Sequence, residues 1–327
     1  MIVVRDSSEY LRSYARAALW VSNAILPTFL APRQGQTYLQ TWHGTPLKRL
    51  GCDIETGTSG NALYSLSDVR RRYHSEGARI SWLASLSGYA SERLGSAFDL
   101  FATGEADKII EAGYPRNDAL CTFTPEDVAS VRRRLGIPAG KKVVLYAPTW
   151  RDDQHSSKVG YTYESQADFA ALRAALGDDY VMLFRAHYLI ASAFDPASYE
   201  GFVLDVSAID DINDLYIVSD MLVTDYSSVF FDYANLGRPI VFFMYDLERY
   251  ADELRGFYLG LDELPGPVVR TTPELIEAVR ASGSPDEDAL ERYERFRECF
   301  TYLDDGHASE RVLARVLPAP GVPRDME

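Results

Sequence analysis

Several stretches of the 327-residue sequence set polar residues directly behind a short apolar run. In a parallel α/β protein that is where ligands meet the chain, because the carboxyl ends of strands open onto loops and helix N-termini. Gln40-Thr41-Trp42-His43-Gly44-Thr45-Pro46 places a histidine behind such a run, followed by a glycine that gives little steric cover. An imidazole with an ordinary pKa of about 6.5 suits a general base, although a histidine capping a turn would read the same way. Arg151 ends Tyr146-Ala147-Pro148-Thr149-Trp150-Arg151, and a guanidinium there can grip phosphate through two parallel hydrogen bonds or make a surface ion pair. Arg185 and His187 stand two apart, so in extended chain they share one side and together fit a diphosphate. The alternative is one inward, satisfied residue and one exposed neighbour.

The strongest signal is Val223-Thr224-Asp225-Tyr226-Ser227-Ser228-Val229-Phe230-Phe231-Asp232. A buried strand ends in hydroxyls that open a helix, where free backbone N–H groups and the helix dipole attract an anion. Ser227 and Ser228 add hydroxyl donors to the same place. Plain serine capping gives the same pattern, and both can hold together. Asp304-Asp305-Gly306-His307-Ala308-Ser309-Glu310-Arg311 joins a glycine turn to a helix start with an arginine on its first turns.

The chain that positions these residues alternates β-branched or aromatic runs with helical segments, which predicts parallel sheets with crossover helices. Strands are expected at Leu19–Val21, Tyr38–Trp42, Leu100–Thr103, Val143–Tyr146, Val181–Arg185, Phe202–Asp205, Met221–Thr224 and Pro239–Phe243. Helices are expected at 8–17, 59–73, 85–97, 106–112, 165–176, 211–218, 227–236, 273–281, 286–300 and 306–317. Gly113-Tyr114-Pro115-Arg116-Asn117-Asp118 is dense in turn residues and closes a first domain. Thr124-Pro125-Glu126-Asp127 then opens a helix with a capping hydroxyl, a proline at the first position and acids in the first turn.

Composition narrows the function. The net charge of −15 argues against nucleic acid as a partner. Residues 1–120 hold 13 basic and 12 acidic side chains, and the rest of the chain holds 20 and 36. The first part can therefore approach an anionic polymer or membrane that the second would repel. Cys52, Cys121 and Cys299 are odd in number and widely spaced, which predicts a reducing cytoplasmic compartment without disulfides. The longest uncharged run, between Arg16 and Arg33, is broken by Ser22, Asn23 and Pro27 and falls short of the roughly 20 apolar residues of a bilayer span. Arg70-Arg71-Arg72 is a candidate lipid contact at the inner face of the membrane, but reads better as a solvated helix face. There is no Walker-type loop, no G-x-G-x-x-G, no G-x-S-x-G elbow and no spacing typical of a metal cage, so neither cofactor nor metal is expected.

The motif Gln40–Lys48 resembles that of the CDP-glycerol glycerophosphotransferases, the teichoic acid primases and polymerases of bacterial cell walls. The order of later motifs is similar too: 113–118, 146–151, 185–187, 219–228, Gly237-Arg238-Pro239-Ile240 and 305–311. The resemblance implies an α/β fold of the GT-B kind, two Rossmann-like domains with parallel sheets facing a central cleft. Residues 1–121 would form the acceptor-side domain, completed by a C-terminal helix at about 303–318, and residues 122–302 the donor-binding domain. It also implies transfer of glycerol phosphate from CDP-glycerol to a polymer or lipid-linked acceptor, with release of CMP. His43 would be the base, with His187 also catalytic. Thr45, Arg151, Arg185, Thr224, Asp225, Ser227, Ser228, Asp232 and Arg311 would bind substrate. CDP-ribitol as donor, a glycosyltransferase using a nucleotide sugar, and a polymer-binding protein without catalysis stand as alternatives.

Overall fold

A computed structural model of the chain describes residues 2–55, 65–149, 155–156, 160–161, 167–185, 196–247 and 256–317. The first elements are α1 (Ser8–Arg16), β1 (Leu19–Ser22), β2 (Thr37–Gln40), α2 (Leu66–Arg79), β3 (Trp82–Ser85), α3 (Gly88–Ala97), β4 (Ile109–Glu111) and α4 (Asp118–Thr122). Next come α5 (Pro125–Leu135), β5 (Lys142–Ala147), β6 (His155–Ser156), β7 (Gly160–Tyr161), α6 (Phe169–Leu176), β8 (Tyr180–Phe184), β9 (Val203–Asp205) and α7 (Ile212–Val218). The last are β10 (Met221–Thr224), α8 (Val229–Tyr233), β11 (Ile240–Phe243), β12 (Val268–Val269), α9 (Thr272–Ala281), α10 (Glu287–Phe300) and α11 (Ala308–Val316). The chain divides into two compact units, Met1–Asp118 with Tyr302–Glu327, and Ala119–Thr301.

In the first unit four parallel strands lie in the order β1-β2-β3-β4. Successive side chains of a strand face opposite sides, and β2 uses this to split its residues between two cores. Tyr38 joins Trp20, Leu83, Leu94 and Phe98 on one face. Leu39 joins Ala84 and Ile110 on the other, where Val312 and Val316 of α11 cover it. That burial is why the last helix belongs with the first strands. No side chain of its own caps α11. Asp118 caps it instead, its two carboxylate oxygens accepting from the backbone N–H groups of Ala308 and Ser309.

The second unit carries a parallel sheet in the order β12-β11-β10-β5-β8-β9. Strands β10 and β11 are buried along their whole length, which explains their unbroken apolar runs. Thr124 and Asp127 close a capping box on α5, and Gly136 ends that helix in the left-handed conformation at φ +66°. Thr271 and Glu274 close the equivalent box on α9.

Several expected elements differ. Leu100–Thr103 is a turn, not a strand, entered at Asp99 with φ +64° and leaving Phe101 exposed. The helix expected at 106–112 is a single 3-10 turn, Ala106–Lys108, followed by β4. Pairing of Ile109 and Ile110 with Leu83 and Ala84 overrides the helical preference of the charged residues around them. Strand β3 escaped the sequence reading because Trp-Leu-Ala-Ser has no β-branched residue and runs straight into α3. Helix α2 begins at Leu66, capped by Ser65; the expected start at 59 lies outside the described residues. The helix expected at 227–236 is α8 plus a 3-10 turn, Ala234–Leu236.

Candidate active site

Strands β1 and β2 pair through Ser22 and Gln40, so their carboxyl ends lie side by side. The chain leaving β2 turns at Trp42, whose φ of +52° costs a bulky residue on the order of 1–2 kcal/mol. The left-handed backbone thus falls on the tryptophan, inside the expected strand Tyr38–Trp42. Packing holds it there: the Trp42 ring meets Tyr73 and Phe98 edge-on, and the Trp42 backbone N–H donates to Gln40 Oε1 at 3.0 Å. The next residue, His43, lies over that indole with centroids 4.1 Å apart.

His43 Nδ1 lies 2.7 Å from the carbonyl oxygen of Asn23, just beyond β1. A carbonyl can only accept, so Nδ1 donates, and the neutral ring keeps its lone pair on Nε2. The residue is exposed, yet enough protein crowds the ring for desolvation to push its pKa below the usual value. The bond to Asn23 opposes that shift, and the charge of Arg116 adds to it. An imidazole in this state can take a proton through Nε2 at neutral pH. Thr45, two residues on, is buried, and its hydroxyl has no hydrogen-bond partner among the described residues.

Arg116 was missed as a site residue. It belongs to the turn-rich 113–118 motif, and its guanidinium sits 3.9 Å from the centroid of the Tyr114 ring. The rest of that motif anchors the tail. Asp304 accepts from the Tyr114 N–H and the Asn117 side-chain amide, and Asp118 caps α11. Arg311 is part of the same anchor. It makes a two-pronged pair with Asp305, both contacts 2.8 Å, and donates to the carbonyls of Ala112 and Leu303. These bonds hold Asp305 down to a pKa of about 2. The cationic cluster on α2 is partly committed as well, Arg70 to the Ile54 carbonyl and Arg71 to Asp68.

In the second unit the ends of β5, β8 and β10 are adjacent. Arg185 follows β8, half-buried, and donates to the Ile209 carbonyl at 2.6 Å; burial lowers its pKa. Thr224 is wholly buried and its hydroxyl donates to the Ala147 carbonyl at 2.8 Å, fastening β10 to β5. Asp225 is also buried, and its Oδ1 accepts from the N–H groups of Thr149 and Tyr226. It thus ties together the loops that leave β5 and β10. Ser227 and Ser228 are half-buried at the start of α8, where neither makes a strong side-chain cap. Asp232 is buried on that helix. Arg151 and His187 lie outside the described residues. Among the described residues no cluster of His, Cys, Asp and Glu could hold a metal ion, and no helix is long and apolar enough to cross a membrane.

The chain matches the family model described as CDP-glycerol:poly(glycerophosphate) glycerophosphotransferase over residues 1–318. It is similar to the teichoic acid poly(glycerol phosphate) polymerase of Bacillus subtilis (strain 168), with 45% identity over 321 residues, 96% of this chain and 42% of that protein. The chain therefore spans less than half of that relative. It is 41% identical to the teichoic acid glycerol-phosphate transferase of Staphylococcus aureus (strain NCTC 8325 / PS 47), covering 96% of this chain and 80% of that one. A teichoic acid poly(ribitol-phosphate) polymerase of Bacillus spizizenii also matches, at 34% identity over 218 residues. Among solved structures, that of the wall teichoic acid polymerase TagF superposes with a TM-score of 0.88 at 40% identity, over 96% of this chain and 76% of that chain. The fold class is accordingly α/β of the GT-B-like kind, two Rossmann-like units each with its own parallel sheet.

Proposed function

The chain belongs to the CDP-glycerol:poly(glycerophosphate) glycerophosphotransferase family, and from that membership we propose that it transfers glycerol phosphate from CDP-glycerol to a hydroxyl of a teichoic-acid-like polymer. The observation that carries the reading is His43, whose Nδ1 is held by the Asn23 carbonyl while its pKa is lowered. In the proposed step the acceptor oxygen attacks the β-phosphorus of the donor and its proton passes to Nε2. The bond from that phosphorus to the bridging oxygen breaks, and CMP leaves with the electron pair. General-base help of this kind is worth roughly 100- to 10,000-fold.

On the donor side, the half-buried Arg185 and the hydroxyls of Ser227 and Ser228 supply the charge and the hydrogen bonds for the diphosphate. Asp225 and Thr224 act behind the two serines, fixing the chain where it leaves β5 and β10. Asp232 supports α8. Arg151 and His187 enter the donor site on motif resemblance. The bonds of Arg311 favour a different task for it, holding the tail to β4, so we assign it there rather than to the diphosphate. Arg116 and Thr45 are the better candidates beside His43.

We place the enzyme at the inner face of the cell membrane, where a lipid-linked acceptor would be reached. Supporting this are the exposed Ile2, Val4 and Leu11 in and before α1, interleaved with Arg5, Arg12 and Arg16. The experiment that tests the function is CMP release from CDP-glycerol and from CDP-ribitol, with a glycerophosphate-primed lipid acceptor and His43→Ala as control. Acceptor-dependent release from CDP-glycerol, lost in the variant, is expected. Release from CDP-ribitol alone would reassign the donor. Silence with both from folded protein would overturn the reading.

A further inference from the structure

Behind His43 lies a buried polar cluster that the reaction as written does not use. Tyr38 and Gln40 share the face of β2 that looks toward α2, and both are wholly buried. Gln40 Oε1 accepts from the Trp42 N–H at 3.0 Å. Gln40 Nε2 shares its two N–H groups among three acceptors, the Ala24 carbonyl at 3.1 Å, the Tyr38 hydroxyl at 3.1 Å and Glu76 Oε1 at 3.0 Å. Glu76, fully buried on α2, also accepts from the Tyr38 hydroxyl and the Leu26 N–H, and it pairs with Arg79. Arg79 in turn donates to the carbonyls of Leu26, Pro27 and Leu30.

We propose that Gln40 is the positioning residue for His43, because its one amide holds both the left-handed turn that presents the ring and the segment whose carbonyl orients it. The turn is Trp42, gripped at its N–H. The segment begins at Asn23, which takes the His43 Nδ1–H; the next residue, Ala24, is gripped at its carbonyl. The chemistry of the site selects glutamine. One end must accept from an N–H and the other must donate to a carbonyl, a hydroxyl and a carboxylate, and a primary amide does both. Glu76 fixes which way round the amide lies. A glutamate at 40 would set two buried carboxylates against each other at hydrogen-bond distance, which disfavours ionising both. A buried, satisfied network of this kind is rigid. Rigidity matters here because misplacing a reacting group by about 1 Å can cost roughly 100-fold in rate.

The inference rests on His43 being the base, so the test carries a readout that does not need activity. Histidine 15N NMR above the ring's pKa reports which nitrogen carries the proton, with His43 assigned by its loss in His43→Ala. Wild type is expected as the Nδ1–H form. Gln40→Met keeps the length and loses both hydrogen-bonding ends. It is expected to give a mixture of tautomers, a kcat for CMP release lower by about 10- to 100-fold, and a donor KM changed by less than about threefold. Val312→Ala, a buried change on α11, controls for lost stability alone and should move neither the tautomer nor the KM. Should Gln40→Met fail to fold, Gln40→Asn, too short to span both contacts, is read the same way. A wild-type His43 in the Nε2–H form overturns the proposal, as does a folded Gln40 variant that keeps both the Nδ1–H form and its kcat. Wild-type protein that releases no CMP, yet shows an Nδ1–H ring that Gln40→Met disturbs, would sink His43 as the base and uphold the hold of Gln40 on it.

Discussion

His43 Nδ1 stands 2.7 Å from the carbonyl oxygen of Asn23, a contact between residues just past the ends of two neighbouring parallel strands. It fixes the tautomer before any substrate arrives, so the ring need not be reorganised at the moment of reaction. His43→Ala should still fold, since it loses only the Asn23 bond and the contact with Trp42 at the surface, while CMP release falls roughly 100- to 10,000-fold. Release within tenfold of wild type would remove it as the base.

The pH profile should follow from the same ring. A base works when unprotonated, so activity is lost as pH falls through its pKa. Burial and then Arg116 place that pKa below 6.5. The acid limb of kcat/KM should lie below 6.5, and Arg116→Gln, which removes a nearby positive charge, should move the limb upward. A limb that stays put in the variant would show that Arg116 has no electrostatic hold on the base.

Gly113 turns the chain at φ +86°, and a Cβ there would sit 2.7 Å from the Leu303 carbonyl and 3.0 Å from the Ala308 side chain. Both backbone and space demand glycine. Gly113→Ala should lower stability by about 1–3 kcal/mol and speed proteolysis of the tail beyond Tyr302. An unchanged digestion pattern would mean the tail is not held at this point.

The pair of Asp305 with Arg311 has a pH signature. Asp305 drops from its ordinary 3.8 to about 2 in the folded chain, so its contribution is present above about pH 4 and fades as pH falls toward 2. Both side chains are partly exposed, and solvent screening limits the gain to under about 1 kcal/mol. Urea melts of Asp305→Asn and wild type should differ at pH 7 and converge near pH 2; a constant gap would contradict the assignment.

Asp225 accepts two backbone N–H bonds in a buried place. Asp225→Ala leaves both donors unpaired, at about 1–3 kcal/mol each, and loosens the loops after β5 and β10. The melting temperature should fall and the donor KM rise. A lower melting temperature with an unaltered KM would leave Asp225 a structural residue alone.

Five of the six strands of the second sheet were legible in the sequence because buried parallel strands such as Met221–Thr224 and Ile240–Phe243 are continuous apolar runs, and Thr124-Pro125-Glu126-Asp127 spells its own helix start; the sixth, β12, is a two-residue edge strand set by its pairing with β11 and gave no run to read. The motif around His43 was legible too, since a histidine between a strand and a glycine needs no partner to be noticed. Strand β3 and the short β4 were not, because their pairing with each other decides them and their local composition favours other states. Nor could spacing show that Trp42 takes a left-handed turn, or that Glu76, on a helix that otherwise reads as polar, is buried under Gln40. Arg311 marks the same divide. Its place at a helix start is a local pattern that suits an anion, whereas its engagement with Asp305, Ala112 and Leu303 depends on a tail helix folding back onto the first sheet. Sequence by itself determined which residues can donate, accept or carry charge and the period at which they recur. Tertiary structure decided which partners already occupy them, because those partners can lie far along the chain, 199 positions for Arg311 and Ala112, and only packing brings them within a hydrogen bond.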